Sequence, residues 1–281
     1  MPVVTLSGRS FVDVTGEEAE SFLQNLITTD LAHLPDGEAW PGALLTPQGK
    51  IMFEFLIGRA NGGFVLETAG DVADALVKRL TLYRLRAKVD FAKRDETTVT
   101  LVWNEDSHPH AGFTDHRFSL AGVTLLRVPG AGGSDAVSLY RSLRMELAIS
   151  GGAEDGALTD HFPHDLLMDR NGGVAFKKGC YVGQEVVSRM QHRSTARRRL
   201  VSVSADYALA EAGAAIEAAG REIGTLIATE GNRGLAVVRI DKAGAALAAG
   251  EPITCGGQTV TLTLAAWSGL EFPAEADETA S

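Results

Sequence analysis

One short segment concentrates the residue types that could do chemistry. Residues 177–193 read KKGCYVGQEVVSRMQHR and contain Cys180, one of only two cysteines in the 281-residue chain. Lys177 and Lys178 precede the thiol, and the run GQEVVSRMQHR predicts a helix that begins just after it. Nearby cations and a helix N-terminus both favour the thiolate form of a cysteine. The segment therefore predicts a reactive thiol, with a buried structural cysteine as the alternative.

The Glu185–Arg189 pair and the second cysteine give weaker indications of function. Glu185 and Arg189 stand four residues apart, the spacing of a helix ion pair that contributes a few tenths of a kcal/mol. Cys255, in the turn TCGGQ, has no cationic neighbours and is predicted to be inert. The two cysteines fit neither a CxxC pattern nor a disulfide framework, which is typical of a reducing compartment.

Positive charge is concentrated in two segments of an acidic chain. The net charge is −10, yet residues 78–94 and 177–199 each carry seven basic residues and one acid. Such segments are either solvated helix faces or the lining of a site for carboxylates or phosphates. A general nucleic-acid binder is usually basic overall, so that class is disfavoured.

Other candidate motifs are incomplete. GAGGS at 130–134 lacks the third glycine of a dinucleotide loop, and no phosphate-binding GxxxxGK[ST] occurs. Two groups of histidines and aspartates lack a recognised ligand spacing, so no metal site is predicted. These groups are Asp106, His108, His110, Asp115 and His116, and Asp160, His161, His164 and Asp165. With no export signal and no apolar run of membrane-spanning length, a cytoplasmic protein is expected.

The order of predicted elements indicates an α+β protein. FVDV at 11–14 predicts a strand, and Thr15 with Glu18 resembles a capping box that would open a helix over 16–27. A hairpin around TPQGK, a further strand and helices near 71–85 and 135–147 follow. From about residue 198, short strand-like runs between glycine-rich turns predict a small β-barrel.

The segment KGCYVGQEVVSR closely resembles the signature K-G-C-[FY]-x-G-Q-E-x-x-x-R of the YgfZ-type folate-binding proteins, relatives of the glycine-cleavage T-protein. Further blocks with family likeness follow the same order along the chain: EEAESFLQNLITTDL, GALLTPQGKI, LYRLRAKV, LRMEL and RRRLV. The resemblance implies a T-protein-like three-part ring of ferredoxin-like α/β units plus a C-terminal β-barrel. Its implied divisions are an N-terminal α+β domain (1–116), a second α+β domain (117–196), the barrel (197–271) and a disordered tail (272–281).

The resemblance also implies a ligand and a set of contacts. Members bind tetrahydrofolate and support the maturation or repair of iron–sulfur enzymes, including one that modifies tRNA. A carboxylate pairs with the guanidine-like edge of a pterin through two parallel hydrogen bonds, and an aromatic face stacks on its rings. Cys180 is the expected functional thiol. The expected folate contacts are Arg144, Glu146, Lys178, Gly179, Tyr181, Gly183, Gln184, Glu185 and Arg189.

Two departures separate this chain from its relatives. Phe53 occupies the place of the aspartate that T-proteins need for aminomethyl transfer, and Glu54 occupies the next position. A phenyl ring cannot act as a carboxylate does, so T-protein chemistry is not expected. Asp165 stands where many relatives carry glutamate, which shortens that side chain by one methylene group.

The sequence thus predicts a folate-binding accessory protein whose partners are iron–sulfur client proteins. Whether it turns over a substrate stays open, and a folate-dependent aminomethyltransferase is the alternative. A third possibility is an RNA or protein adaptor that uses the basic segments directly, which would give strongly salt-dependent tRNA binding. No membrane partner is expected.

Overall fold

The computed structural model describes residues 2–104, 112–156, 158–193 and 196–273. Contacts divide the chain into two compact units. The first comprises Met1–Leu139, Gly152–Pro163 and Met168–Ser188, and the second comprises Tyr140–Gly151, His164–Leu167 and Arg189–Ser281. Most of the tail predicted at 272–281, and the predicted cluster residues Asp106, His108 and His110, lie outside the described residues.

The first unit is built on a nine-stranded sheet in the order β1-β7-β9-β8-β3-β4-β5-β2-β6. Its strands are β1 (Val3–Ser7), β2 (Arg9–Thr15), β3 (Glu38–Leu45), β4 (Ile51–Ala60), β5 (Gly63–Ala69), β6 (Asp90–Lys93), β7 (Thr98–Trp103), β8 (Phe113–Asp115) and β9 (Leu125–Pro129). All of its strand pairs are antiparallel except β3 with β8. The predicted hairpin around TPQGK is β3–β4, which pairs Trp40 with Ile57 and Leu44 with Phe53.

Six helices are present in the described ranges. They are α1 (Ala19–Gln24), α2 (Gly70–Arg84), α3 (His116–Leu120), α4 (Val137–Glu146), α5 (Gln184–His192) and α6 (Ile240–Ala248). Short 3-10 turns occupy Leu31–His33, Gly152–Asp155, Pro163–Leu166 and Ala266–Ser268. The core of the first unit packs α1 and α2 against one sheet face, with Leu23, Phe55, Leu66, Leu76 and Leu80 at its centre.

The first helix is shorter than the 16–27 span predicted from a capping box, and that prediction is wrong. Glu18 makes no side-chain cap, because its carboxylate instead accepts the backbone N–H of Lys88 at 2.7 Å. Gly16 has φ +117°, far from the φ of about −63° that an α-helix requires, so the helix cannot start at this point. At the other end, Ile27 pairs in a bridge with Leu44 of β3, so the chain has left the helix by that residue.

The second unit contains the predicted C-terminal β-barrel, which is confirmed as a near-closed seven-stranded sheet. Its order is β15-β14-β11-β12-β13-β10-β16. The strands are β10 (Arg198–Ser204), β11 (Ala215–Ala218), β12 (Arg221–Glu230), β13 (Arg233–Arg239), β14 (Ile253–Cys255), β15 (Gln258–Thr259) and β16 (Thr261–Thr263). Its core includes Val201, Leu226 and Val238, and Cys255 is buried in that core.

The boundary expected between residues 116 and 117 does not separate these units. Strand β9 lies beyond that boundary, yet it pairs with β7 through Thr100 opposite Val128. Hydrogen bonds of the sheet therefore hold residues 125–129 in the first unit. The division into three domains stays a prediction.

Candidate functional site

Lys178 of the motif segment is turned toward backbone carbonyls of the first unit. Its Nζ donates hydrogen bonds to the carbonyl oxygens of Ile27 at 2.9 Å and Thr29 at 2.7 Å. Burial lowers the pKa of Lys178 to about 8, although the Asp30 carboxylate opposes that shift. The ammonium also lies 5.4 Å from the centre of the Tyr181 ring. Lys178 therefore anchors its own segment.

The residues before the motif are tied to the same place. The hydroxyl of Thr28 donates to the carbonyl oxygen of Gly173 at 2.5 Å, and the Ala175 N–H donates to the Thr28 carbonyl at 2.9 Å. Thr28 also accepts the Ala43 N–H of β3 through its hydroxyl. The segment 173–178 thus runs beside residues 27–29, fixed at several points to the sheet that carries the core.

Gly183 has a structural reason to be glycine. It has φ +79°, and a Cβ there would lie 2.5 Å from the Thr46 carbonyl oxygen and 3.1 Å from the Cα of Gly49. Gly49 is itself at φ +80°, with a would-be Cβ 3.0 Å from the Cβ of Val186. The motif therefore packs directly on the β3–β4 turn, and only glycine permits that approach.

Cys180 is exposed, and so is Gly179 beside it. The helix predicted to start just after the thiol starts later, at Gln184, and three residues separate Cys180 from it. The expectation of a thiol at a helix N-terminus is therefore wrong. The hydrogen bond from the Gln184 N–H to the Tyr181 carbonyl shows that residues 181–184 form a turn instead. Cys180 is thus accessible to solvent on a segment that Lys178 anchors to the first unit.

Tyr181 is buried at 6% exposure, and burial raises its pKa to about 12. Its hydroxyl has no hydrogen-bond partner among the described residues. A buried hydroxyl without a partner costs about 1–3 kcal/mol. Tyr181 is thus the one predicted contact residue whose polar group is both buried and unengaged within the described ranges.

The other predicted contacts are divided between the units. Gln184 and Glu185 lie in the first turn of α5, and Glu185 is exposed. Glu185 forms no ion pair with Arg189 in the described structure, so that predicted pair is not found.

Three predicted contacts belong to the second unit. Arg189 is exposed, whereas Arg144 is buried, with its guanidinium against Gly151. Glu146 forms a 2.7 Å ion pair with Arg233 on the surface of that unit. The folate contacts that the resemblance implies stay predictions for these residues.

A cavity that the sequence did not indicate lies in the first unit. It has a volume of about 440 Å³, within the range of small-molecule sites. Its walls are mainly apolar, and two carboxylates face it. The residues that form it include Ile51, Phe53, Glu54, Asp71, Val72 and Leu158. Phe53 and Glu54, singled out in the sequence as departures from T-proteins, are therefore both at this cavity.

Glu54 is a buried carboxyl group with a raised pKa. Burial raises the pKa of Glu54, and Glu154 and Asp155 add to that rise, while Arg117 and Arg9 oppose it. The nearest Arg117 nitrogen is 3.9 Å away, too far for a hydrogen bond. Gly152 lies so close that a Cβ there would overlap the carboxylate. The cavity thus holds a carboxyl group that accepts a proton more readily than usual.

A buried ion network continues behind Glu54. Arg9 pairs with Glu67 at 3.0 Å, Glu67 with Arg127 at 2.5 Å, Arg127 with Asp115 at 3.3 Å, and Asp115 with Arg117 at 2.7 Å. Burial alone would raise the pKa of Glu67, but Arg127 and Arg9 hold it at about 2. The network fixes β2, β5, β8 and β9 to one another and supplies the positive charge that faces Glu54. No short sequence motif marks it, because its members are separated by up to 118 positions.

No cluster of three or more potential metal-ligating side chains occurs in the described ranges. His116 instead stacks on Trp40 at 4.4 Å and contacts the Glu38 carboxylate at 3.1 Å. In those same ranges, no helix combines the length and apolar character needed to cross a membrane.

Comparison with solved structures identifies the architecture. The crystal structure of the glycine cleavage system aminomethyltransferase T from Bartonella henselae matches with a TM-score of 0.64 over 96% of this chain and 86% of that chain. The fold is that of an aminomethyltransferase T. Sequence identity is 15%, so this likeness concerns the fold. The fold class expected from the sequence is thereby confirmed.

Sequence comparisons point to iron–sulfur assembly factors. Residues 197–270 match the family model of the CAF17 C-terminal β-barrel domain. The mitochondrial iron–sulfur cluster assembly factor IBA57 homolog of Chaetomium globosum is 28% identical over 71% of this chain and 55% of its own length, and that of Pyricularia oryzae is 29% identical over 70% and 55%. The human mitochondrial factor IBA57 is 28% identical over 84% and 77%. The chain spans about half the length of the two fungal relatives.

These relatives correct one expectation. The sequence led us to expect a cytoplasmic protein, whereas the names of the similar proteins place them in the mitochondrion. The composition supported the wrong compartment because low cysteine usage and a lack of long apolar runs do not distinguish one reducing interior from another.

Proposed function

We propose that the chain is an iron–sulfur cluster assembly factor that binds tetrahydrofolate and influences tRNA modification through a client enzyme. The observation that carries the proposal is Cys180, an exposed thiol on a motif segment anchored by Lys178 and Gly183. Thiolates are the usual protein ligands of iron–sulfur clusters. The names of the similar proteins support the assembly role. The direct partners are then iron–sulfur client proteins, with the cluster as cargo.

Tetrahydrofolate is proposed from the motif resemblance, and the cavity beside Phe53 fits part of it. Apolar walls suit the flat pterin rings, and the carboxyl groups of Glu54 and Asp71 suit its hydrogen-bond donors. When bound, the cofactor would supply one-carbon or redox chemistry, while these residues bind and orient it. The unpartnered hydroxyl of Tyr181 is a further candidate contact.

Calorimetric titration with tetrahydrofolate tests the cofactor proposal. The wild type should bind, and its melting temperature should rise with ligand concentration because the ligand stabilises only the native state. Glu54→Gln should weaken binding about tenfold, the effect of losing one hydrogen bond between the carboxyl group and the ligand. Glu17→Gln, which changes an exposed carboxylate of the same unit, should bind as the wild type does. If millimolar tetrahydrofolate neither binds nor raises the melting temperature, the proposal of folate binding is ruled out.

Complementation tests the assembly role separately. Cys180→Ala should leave the free energy of unfolding within about 0.5 kcal/mol of the wild type, because an exposed sulfur fills no cavity. It should nevertheless fail to restore an iron–sulfur enzyme activity in cells that lack the native protein. Cys255→Ala, the matched control in the barrel core, should restore that activity. Full rescue by Cys180→Ala would reject the thiol as the functional group.

The alternative, a folate-dependent aminomethyltransferase, is disfavoured by Phe53, which offers no carboxylate at the position that T-proteins use. An assay with aminomethylated carrier protein decides between the two. A direct RNA adaptor would instead give tRNA binding that falls steeply with salt and is indifferent to folate.

A further inference from the structure

The C-terminal end of α2 presents two leucines to solvent. Leu82 is 62% exposed and Leu85 is 88% exposed, the highest value among the large apolar side chains described. The inward face of the same helix is already complete, since Ala73, Leu76 and Leu80 are buried. Leu82 and Leu85 therefore contribute nothing to the core of the first unit.

The backbone at Leu85 is as unexpected as its side chain. Leu85 has φ +47° and ψ −101°, in the positive-φ region that glycine adopts readily and a branched side chain does not. A residue with a side chain is strained in such a conformation, and strain of this kind gathers at binding sites. Here neither the backbone conformation nor burial within this unit favours leucine.

Three cations lie close in sequence to the two leucines. Lys78 and Arg79 stand four and three residues before Leu82 in α2, the spacings of side chains that are neighbours on a helix surface. Arg86 directly follows Leu85, just after α2 ends at Arg84. All three are exposed, and none has an ion-pair partner among the residues that the structure describes.

The other cations of residues 78–94 differ, because each has an acid. Arg84 pairs with Asp90, Lys88 with Glu17, Lys93 with Asp74 and Arg94 with Asp13. The unneutralised charge of this segment is therefore concentrated around the two exposed leucines, on a chain whose net charge is −10.

We propose that this surface, the basic leucine patch of Lys78, Arg79, Leu82, Leu85 and Arg86, docks a protein segment in which acidic side chains flank aliphatic ones. Carboxylates of the partner would pair with the three cations, and its aliphatic side chains would cover the leucines. Interface centres of this kind derive affinity from apolar anchors, with charges that guide association and set specificity. The proposal does not depend on folate binding or on Cys180.

The two exposed leucines favour a protein partner over a nucleic acid or an anionic membrane. Phosphate contacts require cations alone, and leucines at the centre of the patch would gain nothing from a nucleic-acid backbone. A helix that lies on a membrane presents an apolar stripe along its length, whereas the stripe of α2 is packed in the core and only its end is exposed.

Site-specific cross-linking in the full-length protein tests the proposal. With the photoreactive residue benzoylphenylalanine replacing Leu82, illumination of cells should yield one main cross-linked protein. Its cross-linked peptide, sequenced by mass spectrometry, should carry a net negative charge and aliphatic residues. The same residue replacing Leu247, an exposed leucine of α6, is the control and should not capture that peptide. Capture of RNA or lipid, capture of a basic peptide, or no capture at all overturns the proposal.

Affinity measurements on the captured peptide separate the contribution of the cations from that of the leucines. The protein variant that combines Arg79→Glu with Arg86→Glu should bind a synthetic copy of that peptide at least tenfold more weakly than the wild type does. This loss of affinity should shrink at high salt. Lys242→Glu, a charge reversal on α6, is the control and should have no effect. Unchanged affinity in the double variant overturns the proposal.

Leu85→Gly tests the role of the leucines with a variant whose loss of affinity could not be caused by unfolding. Glycine relieves the positive-φ conformation, so the melting temperature should stay the same or rise. The affinity for the peptide should nevertheless fall severalfold, because one apolar anchor is gone. Unchanged affinity in a combined Leu82→Ser and Leu85→Gly variant would show that the leucines play no part in docking.

Discussion

The ammonium of Lys178 donates a hydrogen bond of 2.7 Å to the carbonyl oxygen of Thr29, and a second of 2.9 Å goes to Ile27. A lysine in a signature motif is easily read as a contact for an anionic ligand. Here the same charge is used to hold the segment that ends in Cys180 against residues 27–29. The segment that carries the exposed thiol is thus anchored by a cation that is itself half-buried.

Replacing Lys178 by methionine should lower the free energy of unfolding by about 1–3 kcal/mol at neutral pH, since two backbone carbonyls lose their donor. Lys177→Met, at the exposed neighbouring position, should change it by less than about 0.5 kcal/mol. Chemical denaturation with urea measures both. Equal stability of the two variants would contradict the anchoring role.

The lowered pKa of Lys178 predicts a pH dependence. Its pKa is about 8 in the folded protein and ordinarily 10.5, so between these values the unfolded chain binds more protons. Stability of the wild type relative to Lys178→Met should therefore rise as pH increases from about 8 to 10.5, and be level below pH 8. Urea titrations across this range test the sign, and a relative stability that falls with pH in that window would refute it.

Gly183→Ala should destabilise the first unit by about 2 kcal/mol or more, because a Cβ at φ +79° meets the Thr46 carbonyl of the β3–β4 turn. Gly179→Ala is the matched control four residues earlier, where a Cβ meets nothing within 4 Å. It should be nearly neutral for stability. A thermal melt of each variant is sufficient, and a neutral Gly183→Ala would mean that the turn and the motif can separate at little cost.

The two buried glutamates should respond to neutralisation in opposite ways. Glu67→Gln leaves the charges of Arg9 and Arg127 without their shared anion and should cost about 3–5 kcal/mol. Glu54→Gln should cost much less, since burial already disfavours its charged form. Urea denaturation at pH 7 compares them, and a larger loss for Glu54→Gln would contradict the described network.

The contributions of Glu67 and Glu54 to the free energy of unfolding should also change with pH in opposite directions. The stabilisation from Glu67, whose pKa is about 2 against an ordinary 4.5, is present above pH 4.5 and is lost as pH falls toward 2. The raised pKa of Glu54 has the reverse effect, since stability is lost as pH rises from 4.5 through the raised value. Comparison of each variant with the wild type across this range should isolate the two contributions.

Phe53→Asp should not by itself create aminomethyltransferase activity. The substitution restores a carboxylate but not the positioning that makes it effective. It also introduces a charge where the phenyl ring packs against the core of the first unit, so stability should fall by about 2 kcal/mol or more. Turnover of aminomethylated carrier protein by this variant would show that the cavity already has the geometry of a T-protein.

Local patterns were sufficient for much of the fold. The TPQGK turn, the helix at 70–84 and the strand-rich barrel after residue 198 follow from turn residues and hydrophobic periodicity, which act over a few positions. Helix α1 shows where such reasoning fails. Thr15 and Glu18 match a capping box, but Glu18 bonds instead to Lys88, seventy positions away.

The sequence by itself determined the class of fold, the motif around Cys180 and the departure at Phe53, because each depends on residue identity at nearby positions. Tertiary structure alone decided what those residues touch. It assigned Lys178 to the carbonyls of Ile27 and Thr29, and gathered Glu54 and Glu67 with arginines from distant strands. The physical reason is that desolvation and ion pairing depend on distance in space, which the strand pairing of a nine-stranded sheet sets and no local pattern records.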